Sequence, residues 1–194
     1  MQQNSPIPGS RHPAAAPAFF QEAVSYAARA HRNQLRKDGK TPYVAHVIRV
    51  AMTTMVVFGC KDQIAIQSAI LHDTIEDTTT DYEDIESRFG DEVAVCVSCL
   101  TKNMALPEHT REKEYTSRLA AGPWQARLVK LADCYDNLCD LPDLPEPQRN
   151  KKKRDALDRS QHALDISQQD EAAGRPEFAT ARKMLAELMN ALTC

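Results

Sequence analysis

The sequence predicts an all-α single domain, and three observations carry that expectation. Apolar residues recur at helical spacing through most of the chain, and no stretch sustains the period-two alternation of a half-buried strand. Only 6 glycines and 6% aromatic residues disfavour a glycine-rich barrel or sandwich. The length of 194 residues fits one domain of ordinary size with a short tail.

The elements follow in order. Residues 1–16 are rich in Pro, Ala, Ser and Gln, have no periodic pattern and are expected to form a disordered arm. Residues 17–192 form the expected domain. FQEAVSYAARAHR opens it and places Phe20, Val24, Ala27, Ala28 and His31 on one helical face. RKDGKT breaks that pattern as a loop, and Pro42 suits the first turn of a second helix that Gly59 closes. A third helix, from about Lys61 to Ile75, is nearly continuous in apolar residues and so should be central. Two shorter helices follow in TTTDYEDIESRFG and DEVAVCVSCLTK, and further helices are expected over 108–121, 123–141, 146–168 and 176–192.

Charge and hydropathy exclude several functions. With 24 Lys+Arg against 27 Asp+Glu, the net charge of −3 argues against a chain that coats nucleic acid or an anionic membrane. A mean hydropathy of −0.49, with no long uncharged apolar run, excludes a membrane span. The N-terminus lacks the basic and apolar regions of a secretory signal, so a cytoplasmic location is expected. The 6 cysteines are then read as small buried hydrophobes, because Cys96/Cys99 and Cys134/Cys139 lie in helix-patterned stretches rather than in turns.

Ionisable residues inside apolar helices are the informative feature, since unpaired burial of a carboxylate or imidazole is costly. His72-Asp73-Thr74-Ile75-Glu76-Asp77 ends the most apolar helix, and helical spacing would stack His72 on Glu76 and Asp73 on Asp77. His46 lies in the apolar run YVAHVIRVAM, where a satisfied core histidine is the commoner outcome for a residue read alone. Asp133, Asp136, Asn137 and Asp140 recur at i, i+3, i+4 and i+7, as on a solvent-facing stripe. Taken together, two imidazoles and carboxylates from three helices make a mixed N/O ligand set. Such a set suits manganese, iron, zinc or another borderline-to-hard divalent ion.

His46…His72-Asp73…Asp133 resembles the pattern of the HD-domain metal-dependent phosphohydrolases. AHRNQLRKDGKTPYVAH (30–46), AILHDTIEDT (69–78), RFGDEVA (88–94), LTK (100–102) and LVKLADCYDNL (128–138) narrow the likeness to the hydrolase domain of the RelA/SpoT homologues. The resemblance covers roughly 18–190 and is closest to the stand-alone small alarmone hydrolases. It implies a helical bundle of about eight to ten helices. The implied reaction is manganese-dependent removal of the 3′-diphosphate from (p)ppGpp or its adenosine counterpart (p)ppApp, giving the nucleoside 5′-di- or triphosphate and pyrophosphate. By the same resemblance His46, His72, Asp73 and Asp133 are metal ligands, and Glu76 and Asp77 activate water. Asn137 positions substrate or nucleophile, and Arg36 and Lys37 line the nucleotide pocket. A small-molecule nucleotide is thus the expected partner, with no nucleic-acid polymer and no membrane, while a homo-oligomer is left open. The alternatives are a generic HD-domain nucleotide or NADPH phosphatase and an inactive nucleotide-sensing HD domain.

The sequence departs from the family pattern in places. Val47 stands where the family commonly has Pro, and Cys134 follows Asp133 where it commonly has a cation. Glu108 sits in NMALPEHTREK where related hydrolases carry a base. The segment after Leu141 lacks an aromatic pair and brings Lys151, Lys152, Lys153 and Arg154 together. Lys153 is taken from this cluster as a candidate phosphate contact.

Overall fold

The computed structural model describes residues 19–144 and 148–193. The expected arm at 1–16 and the domain's starting point at Pro17 lie outside the described residues. Ten α-helices follow one another: α1 (Phe19–Ala30), α2 (Val44–Met52), α3 (Gln63–Leu71), α4 (Thr74–Asp77), α5 (Tyr82–Phe89), α6 (Asp91–Leu100), α7 (Glu108–Ala121), α8 (Trp124–Cys139), α9 (Gln148–Ala172) and α10 (Pro176–Thr193). Among the described residues there is no strand, only an isolated antiparallel bridge between Leu35 and Pro42 that closes the RKDG loop.

Two helices organise the core. α3 buries Ala65, Ile66, Ala69, Ile70 and Leu71 around most of its circumference, as its nearly continuous apolar run predicts. α8 packs against α2, α3, α9 and α10, and buries Leu128, Val129, Leu131, Ala132 and Leu138. A buried fork fixes the crossing of α9 over α8. Arg127 Nε donates to Asp170 Oδ2 at 2.6 Å and its NH2 group to Asp170 Oδ1 at 2.9 Å. Arg127 NH1 also serves the carbonyls of Ala120 and Gly122 at the end of α7. A bidentate pair with its remaining donors satisfied can remain buried, whereas removing one partner would strand a charge.

The helix expected through Ile75 stops at Leu71. The Thr74 hydroxyl donates to the Leu71 carbonyl at 2.6 Å, and Asp73 sits at φ −98°, ψ −1°, so a separate turn of helix begins at Thr74. Side-chain competition for a backbone carbonyl is the physical reason. The stacking of His72 on Glu76 and Asp73 on Asp77 along one regular helix therefore gives way to a bend at Asp73.

The expected face of α1 also shifts. Ala23, Ala27 and His31, at i, i+4 and i+8, are buried, while Phe20 is 40% exposed and Ala28 is exposed. Small residues at that spacing let α1 lie close to α3. The second helix spans its expected length but turns into a π-helix over Thr53–Val57, where Phe58 N–H donates to Thr53 O. Of the cysteines, Cys60, Cys96, Cys99 and Cys134 are buried and Cys139 is exposed; all five are free.

Candidate metal centre and nucleotide cavity

The four side chains of the centre arrive from three elements. α2 brings His46, the bend after α3 brings His72 and Asp73, and α8 brings Asp133. His46 Nε2 lies 3.4 Å from Asp73 Oδ2 and 3.3 Å from Asp133 Oδ1, and His72 Nε2 lies 3.1 and 3.8 Å from the same two atoms. His46, His72 and Asp133 are all buried. Donor atoms that share one cation at about 2.1 Å stand about 3 Å apart when they meet at right angles, so the spacing suits a common ion.

The imidazole tautomers decide the fit. His46 Nδ1–H donates to Asp136 Oδ2 at 2.6 Å, and His72 Nδ1–H donates to the Ala69 carbonyl at 2.9 Å. With Nδ1 committed as donor, the neutral ring turns a lone pair outward at Nε2. His72 Nε2 is buried and makes no hydrogen bond within the protein. A buried polar atom aimed at two carboxylates and a second imidazole fits a divalent cation.

Electrostatics around the ring nitrogens agree. Burial pushes the His46 imidazole down, but Asp133, Asp136 and Asp73 outweigh it and raise it to about 9. His72 is likewise raised despite its burial, by Asp73 and Asp133. Burial acts upward on Asp73 and Asp133 too, yet His72 and His46 hold the first carboxyl well below its usual range, and Lys130 with both imidazoles does so for the second. In the metal-free protein, protons and ammonium groups thus balance the carboxylates that a cation would neutralise.

The centre forms the floor of a cavity of about 310 Å³. Arg36, Lys37, Glu76, Asp77 and Asn137 line it with the four candidate ligands, whereas Lys153 is not among its lining residues. Glu76 Oε2 accepts from the Lys102 backbone N–H at 2.7 Å. Burial raises its carboxyl, and the Asp73 and Asp77 charges add to this against that hydrogen bond. Tyr43 Oη lies 2.6 Å from Asp73 Oδ2 and 3.0 Å from Asp77 Oδ2, as donor to either. Asn137 Nδ2 donates to Asp133 Oδ1 at 2.5 Å, and its Oδ1 accepts from Arg36.

The RKDG loop is tightly folded. Asp38 accepts from the backbone N–H groups of Lys40 and Thr41 and from the Thr41 hydroxyl, and Gly39 takes φ +70°, where a side chain is disfavoured. Arg36 is consequently buried and donates to Asp140 Oδ2 at 3.0 Å, with its guanidinium over the Tyr43 ring. Lys37 remains exposed.

The stripe on α8 is not solvent-facing. Asp136 is 4% exposed and bridges His46 to Arg49, which reaches it at 2.6 and 2.8 Å and also Asp140 at 2.8 Å. Nor does Cys134 leave the metal-side aspartate without a cation, because Lys130 Nζ lies 2.8 Å from Asp133 Oδ2. Tyr43, Arg49 and Lys130 escaped the sequence reading, and Asp136 was read as solvent-facing. Their signal was available for Arg49 and Lys130, charged residues three places from His46 and Asp133 within apolar runs.

A helical bundle with these imidazoles and carboxylates around one point defines the class of helical metal-dependent phosphohydrolases. Residues 23–159 match the HD domain family. The chain belongs to that family, in its RelA/SpoT-type pyrophosphohydrolase branch. It is 44% identical over 125 residues to the zebrafish (Danio rerio) guanosine-3′,5′-bis(diphosphate) 3′-pyrophosphohydrolase MESH1, covering 64% of this chain and 69% of the relative. The human (Homo sapiens) protein of the same name is 41% identical over 121 residues, 62% of this chain and 68% of the relative. A solved structure described as a metazoan ortholog of SpoT that hydrolyzes ppGpp superposes with a TM-score of 0.74 at 31% identity, covering 94% of this chain and 98% of that one.

Proposed function

We propose that this protein is a metal-dependent pyrophosphohydrolase acting on a purine nucleotide alarmone, (p)ppGpp or (p)ppApp. It removes the 3′-diphosphate and leaves the nucleoside 5′-di- or triphosphate and pyrophosphate. The observation that carries this reading is the pair of buried Nε2 atoms that face Asp73 and Asp133 on the floor of a cation-rimmed cavity. Relatives at 41–44% identity that bear the name of this activity support it.

A divalent cation held by His46, His72, Asp73 and Asp133, which we take to be manganese, would polarise a phosphoryl oxygen and an attacking water. The chain's own groups account for the rest. The water oxygen bonds to the phosphorus nearest the ribose, the bond from that phosphorus to O3′ breaks, and the leaving O3′ takes up a proton from solvent. Glu76 takes the water's proton, since burial and two neighbouring carboxylates raise its basicity while the Lys102 N–H keeps it oriented. Asp77, steadied by Tyr43, shares that role. Asn137 keeps Asp133 aimed at the ligand point and is itself held by Arg36. Lys37 offers a point charge to the substrate at the mouth.

No helix among the described residues is long and apolar enough to cross a membrane. A cytoplasmic location belongs to the proposal and is supported by the five free thiols. The test is a side-by-side assay of (p)ppGpp, (p)ppApp and NADPH with manganese, with products resolved by chromatography. Pyrophosphate release from the bis-phosphorylated nucleotides is expected. Orthophosphate release in its place would identify a general nucleotide phosphatase, and binding without product would identify a sensor.

A further inference from the structure

Five cationic side chains, apart from the histidines, line the metal-side cavity: Arg36, Lys37, Lys102, Lys130 and Arg159. Three of them are committed. Arg36 pairs with Asp140 at 2.9 Å, Lys102 with Glu112 at 2.7 Å and Lys130 with Asp133 at 2.8 Å. Lys37 and Arg159 have no carboxylate partner among the described residues.

Arg159 occupies an unusual place. It lines the metal-side cavity, a small hollow between the RKDG loop and α9 that it shares with Lys37 and Lys152, and an apolar-walled groove of about 620 Å³ between α7 and α9. Three hollows therefore meet at one exposed guanidinium. Its backbone is fixed, because the Cys134 thiol on α8 packs against the Arg159 carbonyl at 3.9 Å and the Arg127–Asp170 fork pins α9 a few turns further on.

Lys152, one face along the same helix, likewise makes no ion pair among the described residues. Lys37, Lys152 and Arg159 thus gather without an ion-paired carboxylate among the described residues, although Asp38 and Asp140 share the hollow. Lys37 registers the crowding: its side chain is exposed at the mouth, but partial desolvation of the ammonium, and then the Arg36, Arg159 and Lys152 charges, hold it below the usual lysine range against the Asp133 carboxylate. Like charges brought together are relieved by a multiply charged anion, and the planar guanidinium fork matches phosphate oxygens.

We propose that Lys37, Lys152 and Arg159 form a second anion subsite, which takes the nucleotide's 5′-phosphates while its 3′-diphosphate lies against the metal-binding wall. Arg159 then sets the preference for substrates with more heavily phosphorylated 5′ ends. The proposal rests on the pyrophosphohydrolase reading for the identity of its ligand.

The test measures binding, so it does not depend on turnover. Calorimetric titration of the manganese-loaded protein with GMP and GDP should give tighter binding of GDP. Arg159→Gln should weaken GDP about tenfold and leave GMP within about twofold, so that the two affinities converge. Arg159→Lys should restore part of the difference. An unchanged ratio in Arg159→Gln, an equal loss for both nucleotides, or wild-type protein that binds GDP no better than GMP would each overturn the subsite. Pyrophosphate release from ppGpp by the wild-type protein is scored separately. The expected GDP preference and its loss in Arg159→Gln, without pyrophosphate release, would refute the activity reading and spare the subsite, and pyrophosphate release without that binding pattern would refute the subsite alone.

Discussion

On one side of the cavity, α2, the bend after α3, and α8 present groups that are already held. Asp136 and the Ala69 carbonyl fix the two imidazoles, Lys130 and Asn137 fix Asp133, and Tyr43 fixes Asp73. On the opposite side, α9 and the RKDG loop present Lys37, Lys152 and Arg159, which make no ion pair among the described residues. The first wall is rigid before anything binds, as required where donor atoms must meet one ion within a few tenths of an ångström. The second is an open set of long side chains that a ligand must order. On the proposed function, fixed geometry would serve the reacting phosphorus, and adjustable charge the part of the nucleotide that does not react.

The contrast can be broken most sharply at Asp133. Asp133→Ala should leave the protein without bound cation and without detectable turnover, measured by elemental analysis and pyrophosphate release on the same sample. Retained metal with full activity would remove Asp133 from the centre. Glu76→Ala should keep the metal but lower turnover by roughly 10²–10⁴, the range for loss of general-base catalysis. Equal loss of metal in both variants would make Glu76 a ligand.

Asp136→Asn addresses the support rather than the ligands. It weakens the charge that orients His46 and should reduce metal affinity by about 10–100-fold with the fold intact, read from a chelator titration. An unchanged affinity would show that Arg49 and Asp140 hold the wall without it.

The smallest effect is that of pH on the rigid wall. In the metal-free protein the His46 pKa is raised from 6.5 to about 9. A group raised on folding stabilises fully below its unfolded pKa and loses that contribution as pH rises through the folded one. The metal-free protein should therefore lose thermal stability between about pH 6.5 and 9. As pH rises, apparent metal affinity should increase by up to about tenfold per pH unit for each imidazole proton that the ion displaces. A metal-free melting temperature that rises across the window would contradict the assignment.

Much of the fold, and the grouping of the four candidate ligands, was legible in the chain. The apolar circumference of α3 predicts its central position, and the helical spacing of α8 predicts Asp133 and Asn137 on one side. His46, His72, Asp73 and Asp133 come together as expected. Other features were not legible, because periodicity reports which face is apolar and not what lies across from a polar one. Asp136 looks solvated in a helical wheel and is buried only because Arg49 and His46 reach it from α2. Arg36 looks like a loop cation and is buried because Asp140 and Tyr43 receive it. The expected role of Lys153 finds no support in the lining, whereas Arg159, six residues on, stands at the meeting of three hollows.

The sequence by itself determined the helical class, the central helix and the residue types that can hold a divalent ion, because these depend on local periodicity and on side-chain chemistry. Only the tertiary structure decided which nitrogen of each imidazole faces the carboxylates, which cations are neutralised and which remain free. For His46 and Arg36 those outcomes are set by partners 90 and 104 positions away in sequence, whose approach follows from how the helices pack, whereas His72 and Lys130 meet theirs three residues away.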